Sequence, residues 1–338
     1  MIDVLVAGGG PAGLATAIRA RLAGLTTVVV EPRAGPIDKA CGEGLMPTGV
    51  EALESLGVIV DGWPLRGIRY LDARHDVAAG FPGGRKGLGV RRTALHAALA
   101  ARATSLGIEV VPGRIDGVRQ FPGHVEAAGR HARWLVAADG LHSPIRTMAG
   151  LSRPVSGTRR YGLRRHYRVE PWTDYVEVHW ATGGEAYVTP VAPGLVGVAV
   201  LSSVRRPYDD HLADFPALTA RLTGTAATRI RGAGPLRQRA RARVAGRVLL
   251  VGDAAGYVDA LTGEGLSLAF QSADALVRCL AGERPGDYER QWRRLSSRHR
   301  ALTGALLAAR NTRPTAQLIV PAAHALPGVF RAAVALLA

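Results

Sequence analysis

Cysteine is nearly absent from this sequence. Cys41 and Cys279 are the only two in 338 residues, which leaves room for at most one bridge. The first strand-like run begins within a few residues of Met1, leaving no space for a signal sequence, so a reduced, cytoplasmic protein is expected. Lysine is as scarce, with Lys39 and Lys86 alone. The net charge of +16 is therefore arginine dispersed through an Ala/Gly/Val-rich chain, with none of the cation clusters interleaved with aromatics that a nucleic-acid footprint needs; no nucleic-acid partner is expected. No apolar run reaches 18 residues. The longest candidate, from Leu318 onward, is broken by Pro321, His324, Pro327 and Arg331, which excludes a spanning helix. No His/Cys/Asp/Glu group has metal-ligand spacing, so no metal is expected, and Ser143 lacks the strand-turn-helix elbow of a serine hydrolase.

What is present is a folded composition, 47% apolar, and a strong N-terminal pattern. Ile2 to Ala7 reads as a buried strand, after which Gly8, Gly10 and Gly13 fall in G-x-G-x-x-G spacing before Leu14, Ile18 and Leu22 at helical intervals. Gly8 permits the turn, Gly10 lets a pyrophosphate approach the backbone, and Gly13 lets helix and strand pack closely. Pro11 and Ala12 open the helix, whose free N–H groups face an anion. A second strand, Thr26 to Val30, ends in Glu31, placed to accept hydrogen bonds from an adenosine ribose, with Pro32 and Arg33 following. This unit alone fits NAD as well as FAD.

Two later segments extend the pattern. Trp134 to Ala138 reads as a strand running into Asp139-Gly140, and Val248 to Val251 as a strand delivering Gly252-Asp253, followed by Gly263-Glu264-Gly265 and a helix that begins near Leu266. A carboxylate at the end of a buried strand suits a ribityl or pyrophosphate-side hydroxyl, and glycines at a helix start suit the electron-rich edge of a reduced flavin. GGGPAG, VRRTALHAAL, ADGLHSPIR and GDAAGYVDALTGEG, with the stretch Lys39-Ala40-Cys41-Gly42-Glu43-Gly44, resemble the FAD-dependent monooxygenase superfamily of the aromatic-hydroxylase type, most closely its geranylgeranyl-reductase-like branch. The resemblance implies one noncovalent FAD, no separate NAD(P)H domain, and contacts to the cofactor from Arg92, Cys41, Gly42 and Ile115 as well as from the glycines and carboxylates named above. Ala260-Leu261 stands where many relatives have proline before T-G-E-G, which predicts a more mobile loop.

The fold expected is α/β, α+β overall: a Rossmann-like FAD-binding domain (1–55, 86–150, 236–283), an inserted antiparallel β-sheet substrate domain (56–85, 151–235) and a helical C-terminal segment (284–338). Asp174 to Trp180, Glu185 to Val191 and Leu195 to Leu201 are the clearest inserted strands. Tyr187 and Thr189 share one face, which the resemblance turns toward substrate, although sheet packing explains Tyr187 equally well. His179 is a candidate base, but a lone histidine on a strand is more often structural. Cys41 is either a substrate or flavin contact or a small buried hydrophobe. The apolar end of the chain packs on the body or touches a membrane surface. The resemblance implies use of NAD(P)H and O₂ to hydroxylate or epoxidise a lipophilic aromatic or isoprenoid-containing molecule, in secondary or lipid metabolism. Reduction of an isoprenoid double bond is the enzymatic alternative, and a basic flavin-binding module without turnover is the third reading. No catalytic residue is assigned.

Overall fold

The computed structural model describes residues 1–338, apart from the side chain of residue 313. The N-terminal strand Ile2–Ala7 lies at the centre of an eight-stranded sheet, pairing in parallel with Thr27–Glu31 on one side and Arg130–Ala137 on the other. Glu109–Pro112 and Val248–Leu250 extend it in parallel. Val4, Val29, Leu135 and Leu249 are fully buried, as near-continuous β-branched and leucine runs covered on both faces should be. Helices Pro11–Leu22, Arg92–Ser105 and Gly265–Ala281 pack around this sheet. The carboxyl ends of its strands converge on the turns at Gly8, Asp139 and Gly252, the usual place for a ligand in an open α/β sheet.

A second sheet has seven strands: Arg231–Ala233, Tyr161–Tyr167, Leu195–Ser202, Gly184–Ala192, Tyr175–Ala181, Gly67–Leu71 and Asp76–Gly80, in that order. It departs from the expected antiparallel sheet at one seam, where Tyr175–Ala181 and Gly67–Leu71 run parallel. The two strands belong to segments about a hundred residues apart, with no hairpin turn to force an antiparallel pairing. A three-stranded patch of Gly44–Leu45, Gly87–Gly89 and Trp63–Leu65 joins the two sheets.

The basic stretch near the C-terminus is one helix, Asp287–Asn311, about 37 Å long. Tyr288 and Trp292 bury its N-terminal half against the first domain. The Tyr288 hydroxyl donates to the Leu250 carbonyl (2.9 Å), and the Arg243 guanidinium lies 3.7 Å from the Trp292 ring centre. Two short helices, Ile319–Ala325 and Pro327–Ala335, place Val320, Phe330 and Val334 against the second sheet, where Tyr70 meets Phe330 (4.8 Å between ring centres) and Trp180 (5.3 Å). The tail thus packs on the body with one face, while Leu318, Leu326, Val329 and Leu336 remain exposed on the other. Among the described residues no helix is long and apolar enough to cross a membrane.

Candidate cofactor cleft

The fingerprint turn is shaped by exclusion. Gly8 adopts φ +104°, and a Cβ there would stand 2.5 Å from the Ala138 carbonyl oxygen; a Cβ on Gly13 would stand 1.8 Å from the Gly8 carbonyl oxygen. Neither position admits a side chain. Gly10 is different: the nearest atom to its missing Cβ is an Arg92 guanidinium nitrogen at 3.7 Å, so its backbone faces open space beside a cation. Pro11 is the first helical residue, and Ala12 lies against Gly252 of the later loop. His96 Nε2 stands 3.0 Å from the Gly9 carbonyl and props the turn.

Glu31 receives the Gly9 N–H (2.7 Å) and both the backbone N–H (3.0 Å) and side-chain Nε (2.7 Å) of Arg33. Burial works to raise its pKa, but the Arg33 and Gly9 hydrogen bonds outweigh it and hold the carboxyl below its ordinary value. It is therefore a buried anion whose two oxygens are held by Gly9 and Arg33, while Pro32 and Arg33 themselves are exposed. Ile115 is buried in the core of the first domain.

Deeper in, charged groups sit desolvated but not sealed. Burial pushes the Asp253 carboxyl up against the opposing pull of Lys39, Arg92 and Arg146, and burial likewise pushes Lys39 and Arg92 down. Asp139 uses one oxygen to accept the Ile145 N–H (3.1 Å); its Oδ1 is buried without a partner, as is Arg92 Nε. Around them Gly42 has no atom within 4 Å of where a Cβ would stand, and Gly140 has only Lys39 Nζ at 3.0 Å. Uncompensated carboxylates and cations beside bare backbone fit a ligand that carries both hydroxyls and phosphates, as FAD does. Arg92, Lys39 and the Gly10 turn would hold the phosphates, and Asp139 and Asp253 the hydroxyls.

Arg146 accounts for the ADGLHSPIR string in physical terms. From a buried position it donates to the carbonyls of Ala254 (3.2 Å) and Leu141 (3.1 Å) and to Gln238 Oε1 (2.9 Å), tying the two carboxylate loops together, while Ser143 caps its short helix. The turn at Gly263 and Gly265 is also anchored. Tyr187 donates its hydroxyl to the Leu261 carbonyl (3.0 Å), Thr262 Oγ1 lies 2.9 Å from Thr303 Oγ1, and Glu264 Oε2 lies 2.6 Å from His299 Nδ1. The expected looseness of this loop is met by three tethers, two of them from the long C-terminal helix. Leu266 packs partly against the first domain's core.

Thr189 donates to the Gly42 carbonyl (2.8 Å), so Tyr187 and Thr189 share a face, and each holds a cofactor-side loop. His179 is not with them. It is opposite Ala186 in register, one residue away from the Val178–Tyr187 pair, and alternation places it on the other face, 3.2 Å from Glu177, where it lines the cavity described below. Cys41 lies at the cleft with its thiol pushed up by burial, hence protonated.

Sequence reasoning missed a buried network behind Cys41. Glu43, at φ +60°, accepts the Arg92 backbone N–H (2.8 Å) and stands 2.5 Å from His166 Nε2. Arg164 donates to His166 Nδ1 (3.0 Å), so that nitrogen is the acceptor and Nε2 carries the proton given to Glu43. Tyr257, inside the quoted GDAAGYVDALTGEG string, was also passed over. Its phenol is pushed well up by burial and by Asp253, Asp259 and Cys41, and its ring edge lies 3.5 Å from where a Gly265 Cβ would be. The Tyr257 position was readable from the motif and Glu43 lies inside the quoted Lys39–Gly44 stretch, whereas nothing local marks His166 or His299.

Beyond the turn, Arg160 bridges Asp259 (3.1 Å) and Glu185 (2.6 Å), and Glu185 also pairs with Arg310. Arg160 and Arg310 border a cavity of about 950 Å³ between the second sheet and the tail, lined on one side by Leu71, Trp180 and Val320 and elsewhere by polar groups that include His75, His179 and Asp214.

Residues 1–62 match the profile of the FAD binding domain family. Over 337 residues the chain is 29% identical to the menaquinone reductase of Mycolicibacterium smegmatis, covering 88% of this chain and 81% of that one. It is 29% identical over 297 residues to digeranylgeranylglycerophospholipid reductase 1 of Methanopyrus kandleri, covering 79% and 77%. Other relatives carry the names of monooxygenases. Among solved structures, the halogenase PltM in complex with phloroglucinol and FAD superposes with a TM-score of 0.74 at 16% identity, covering 86% of this chain and 72% of that one.

Proposed function

We propose that this chain, an FAD-dependent oxidoreductase that belongs to the FAD-dependent monooxygenase superfamily, delivers two electrons to a carbon–carbon double bond of a lipophilic, isoprenoid-bearing molecule. FAD, when bound, supplies two-electron storage at its isoalloxazine ring. The net reaction adds one hydride and one proton across the double bond, with NAD(P)H as the electron source. This chain's part is positioning. Arg92, Lys39 and the Gly10 turn would bind phosphate, Asp139 and Asp253 would bind hydroxyls, and the Leu261–Gly265 turn, tethered by Tyr187, Thr303 and His299, would border the ring. Tyr257 and Cys41, both kept protonated by burial, are groups beside the cleft able to carry the proton.

The observation that carries this reading is the cavity of about 950 Å³, whose bordering Arg160 is paired with Asp259 in the loop leading to the glycine turn. Its apolar wall of Leu71, Trp180, Phe215, Leu218 and Val320 offers a surface to an extended hydrocarbon, and Arg74, His75 and Asp214 offer one to a polar head group. A further fact supports it: the reductases named above align over about four-fifths of their own length. The second reading, oxygen insertion with NAD(P)H and O₂, is favoured by the relatives named as monooxygenases.

The two separate in one experiment. The enzyme is reduced anaerobically, mixed with a panel of prenylated and aromatic lipophiles, and followed by flavin absorbance before and after labelled O₂ is admitted. The expected outcome is flavin reoxidation under strict anaerobiosis with a product two hydrogens heavier. Reoxidation only after O₂ enters, with one labelled atom in the product, establishes the monooxygenase instead.

A further inference from the structure

We infer that His124, Glu126 and His131 form a site for a divalent transition-metal ion of the zinc type, on the edge of the first domain and separate from the cofactor cleft. The sequence spacing does not reveal it, because the third ligand arrives through strand register. His124 immediately precedes the strand Val125–Ala127 and stands two residues from Glu126 within it, the spacing that puts two side chains on one side of an extended chain. The tight turn at Ala128 and Gly129, both at positive φ, then folds the chain so that Glu126 lies directly opposite His131. The three ligand atoms all fall within 4.8 Å of one another.

The distances fit shared coordination of one ion. His124 Nε2 and His131 Nε2 stand 3.4 and 3.6 Å from the same oxygen, Glu126 Oε1. Both are long for a hydrogen bond. They are close to the separation of about 3.3 Å between two ligands on one tetrahedral ion with bonds of roughly 2.0–2.1 Å. The ligands are also held from outside. Phe121 stacks on His124 (4.6 Å, 9° between planes), which stacks on His131 (5.1 Å, 4°). Arg119, the register partner of Glu126 on its other side, binds the remaining carboxylate oxygen at 2.5 Å. Outer partners of this kind orient metal ligands. Two imidazoles and one carboxylate with a fourth position open to water suit Zn²⁺, Co²⁺ or Ni²⁺, not Mg²⁺ or Ca²⁺.

The site would act on structure. Arg247 donates its side chain to the Phe121 and Pro122 carbonyls (3.2 and 2.9 Å) and its backbone N–H to Gln120 Oε1 (2.6 Å), and it immediately precedes the strand Val248–Leu250 that leads to Asp253. An ion there would fasten the hairpin to the base of that strand.

The test is equilibrium dialysis of the full-length, FAD-loaded protein, stripped with chelator, against Zn²⁺ alone, with bound metal read by atomic absorption. One zinc per chain is expected. His124→Ala, Glu126→Gln and His131→Ala should each weaken it roughly ten- to a hundredfold, whereas His75→Ala, in the other surface histidine pair, should leave it unchanged. His131 is 62% exposed at its side chain, so its replacement does not threaten folding, and circular dichroism verifies this. No zinc uptake, or uptake that survives His131→Ala, overturns the assignment.

Discussion

Gly10→Val should give a folded protein that no longer takes up FAD. At this position φ is −72° and ψ 176°, extended backbone that valine adopts readily, and the first atom a side chain meets is the Arg92 guanidinium at 3.7 Å. The apo fold therefore tolerates the change. A pyrophosphate approaching the same backbone does not, and affinity should fall by at least about a hundredfold, some 2.7 kcal/mol. Gly13→Ala makes the complementary case. Its Cβ would stand 1.8 Å from the Gly8 carbonyl oxygen, a main-chain atom that cannot step aside, so this smaller substitution should damage the fold itself and lower the melting temperature with or without cofactor. Flavin titration and thermal melts of both variants check the pair. Wild-type affinity in Gly10→Val would move the cofactor elsewhere.

Asp253→Asn should stabilise the apo-protein while weakening its hold on FAD. The folded-state pKa of Asp253 is raised by burial, in spite of Lys39, Arg92 and Arg146. A carboxyl whose folded pKa lies above its unfolded value of about 3.9 supports folding only while protonated. That support is complete below the unfolded pKa and disappears as pH rises through the raised folded value. At neutral pH the buried carboxylate is thus a liability, which asparagine removes; a rise of roughly 2 °C in apo melting temperature is expected, shrinking toward zero in acid. The same change removes a charged acceptor from the cofactor, costing roughly ten- to a hundredfold in affinity. Melting curves at neutral and acid pH and an FAD titration test both halves. An apo variant less stable than wild type at neutral pH contradicts the account of the cleft as a set of charges awaiting a ligand.

These effects act on residues that the sequence displays openly. Gly8, Gly10 and Gly13 follow a strand of uninterrupted apolar residues, and Asp139 and Asp253 each end another, so local pattern suffices to place them at the sheet's carboxyl edge. The strands around Tyr187 are as legible, because alternation and turn residues are local properties. What was hidden is contact between distant segments. Glu43 meets His166 across 123 positions and Glu264 meets His299 across 35, and no periodicity encodes such pairs. The parallel seam between Tyr175–Ala181 and Gly67–Leu71 was hidden for the same reason. His131 joins His124 and Glu126 only through hairpin register, and Tyr187, Thr189 and His179 separate onto two faces only once the sheet's surroundings are known.

The central claim is that this chain houses one noncovalent FAD between the Gly10 turn and the Asp253 loop. The most direct measurement is the visible spectrum of the purified, FAD-reconstituted protein and of the supernatant after it is denatured and precipitated. The account predicts a yellow protein carrying one flavin per chain, all of it released into the supernatant as intact FAD. A protein that stays colourless after reconstitution, or a flavin that remains with the precipitate, would contradict it.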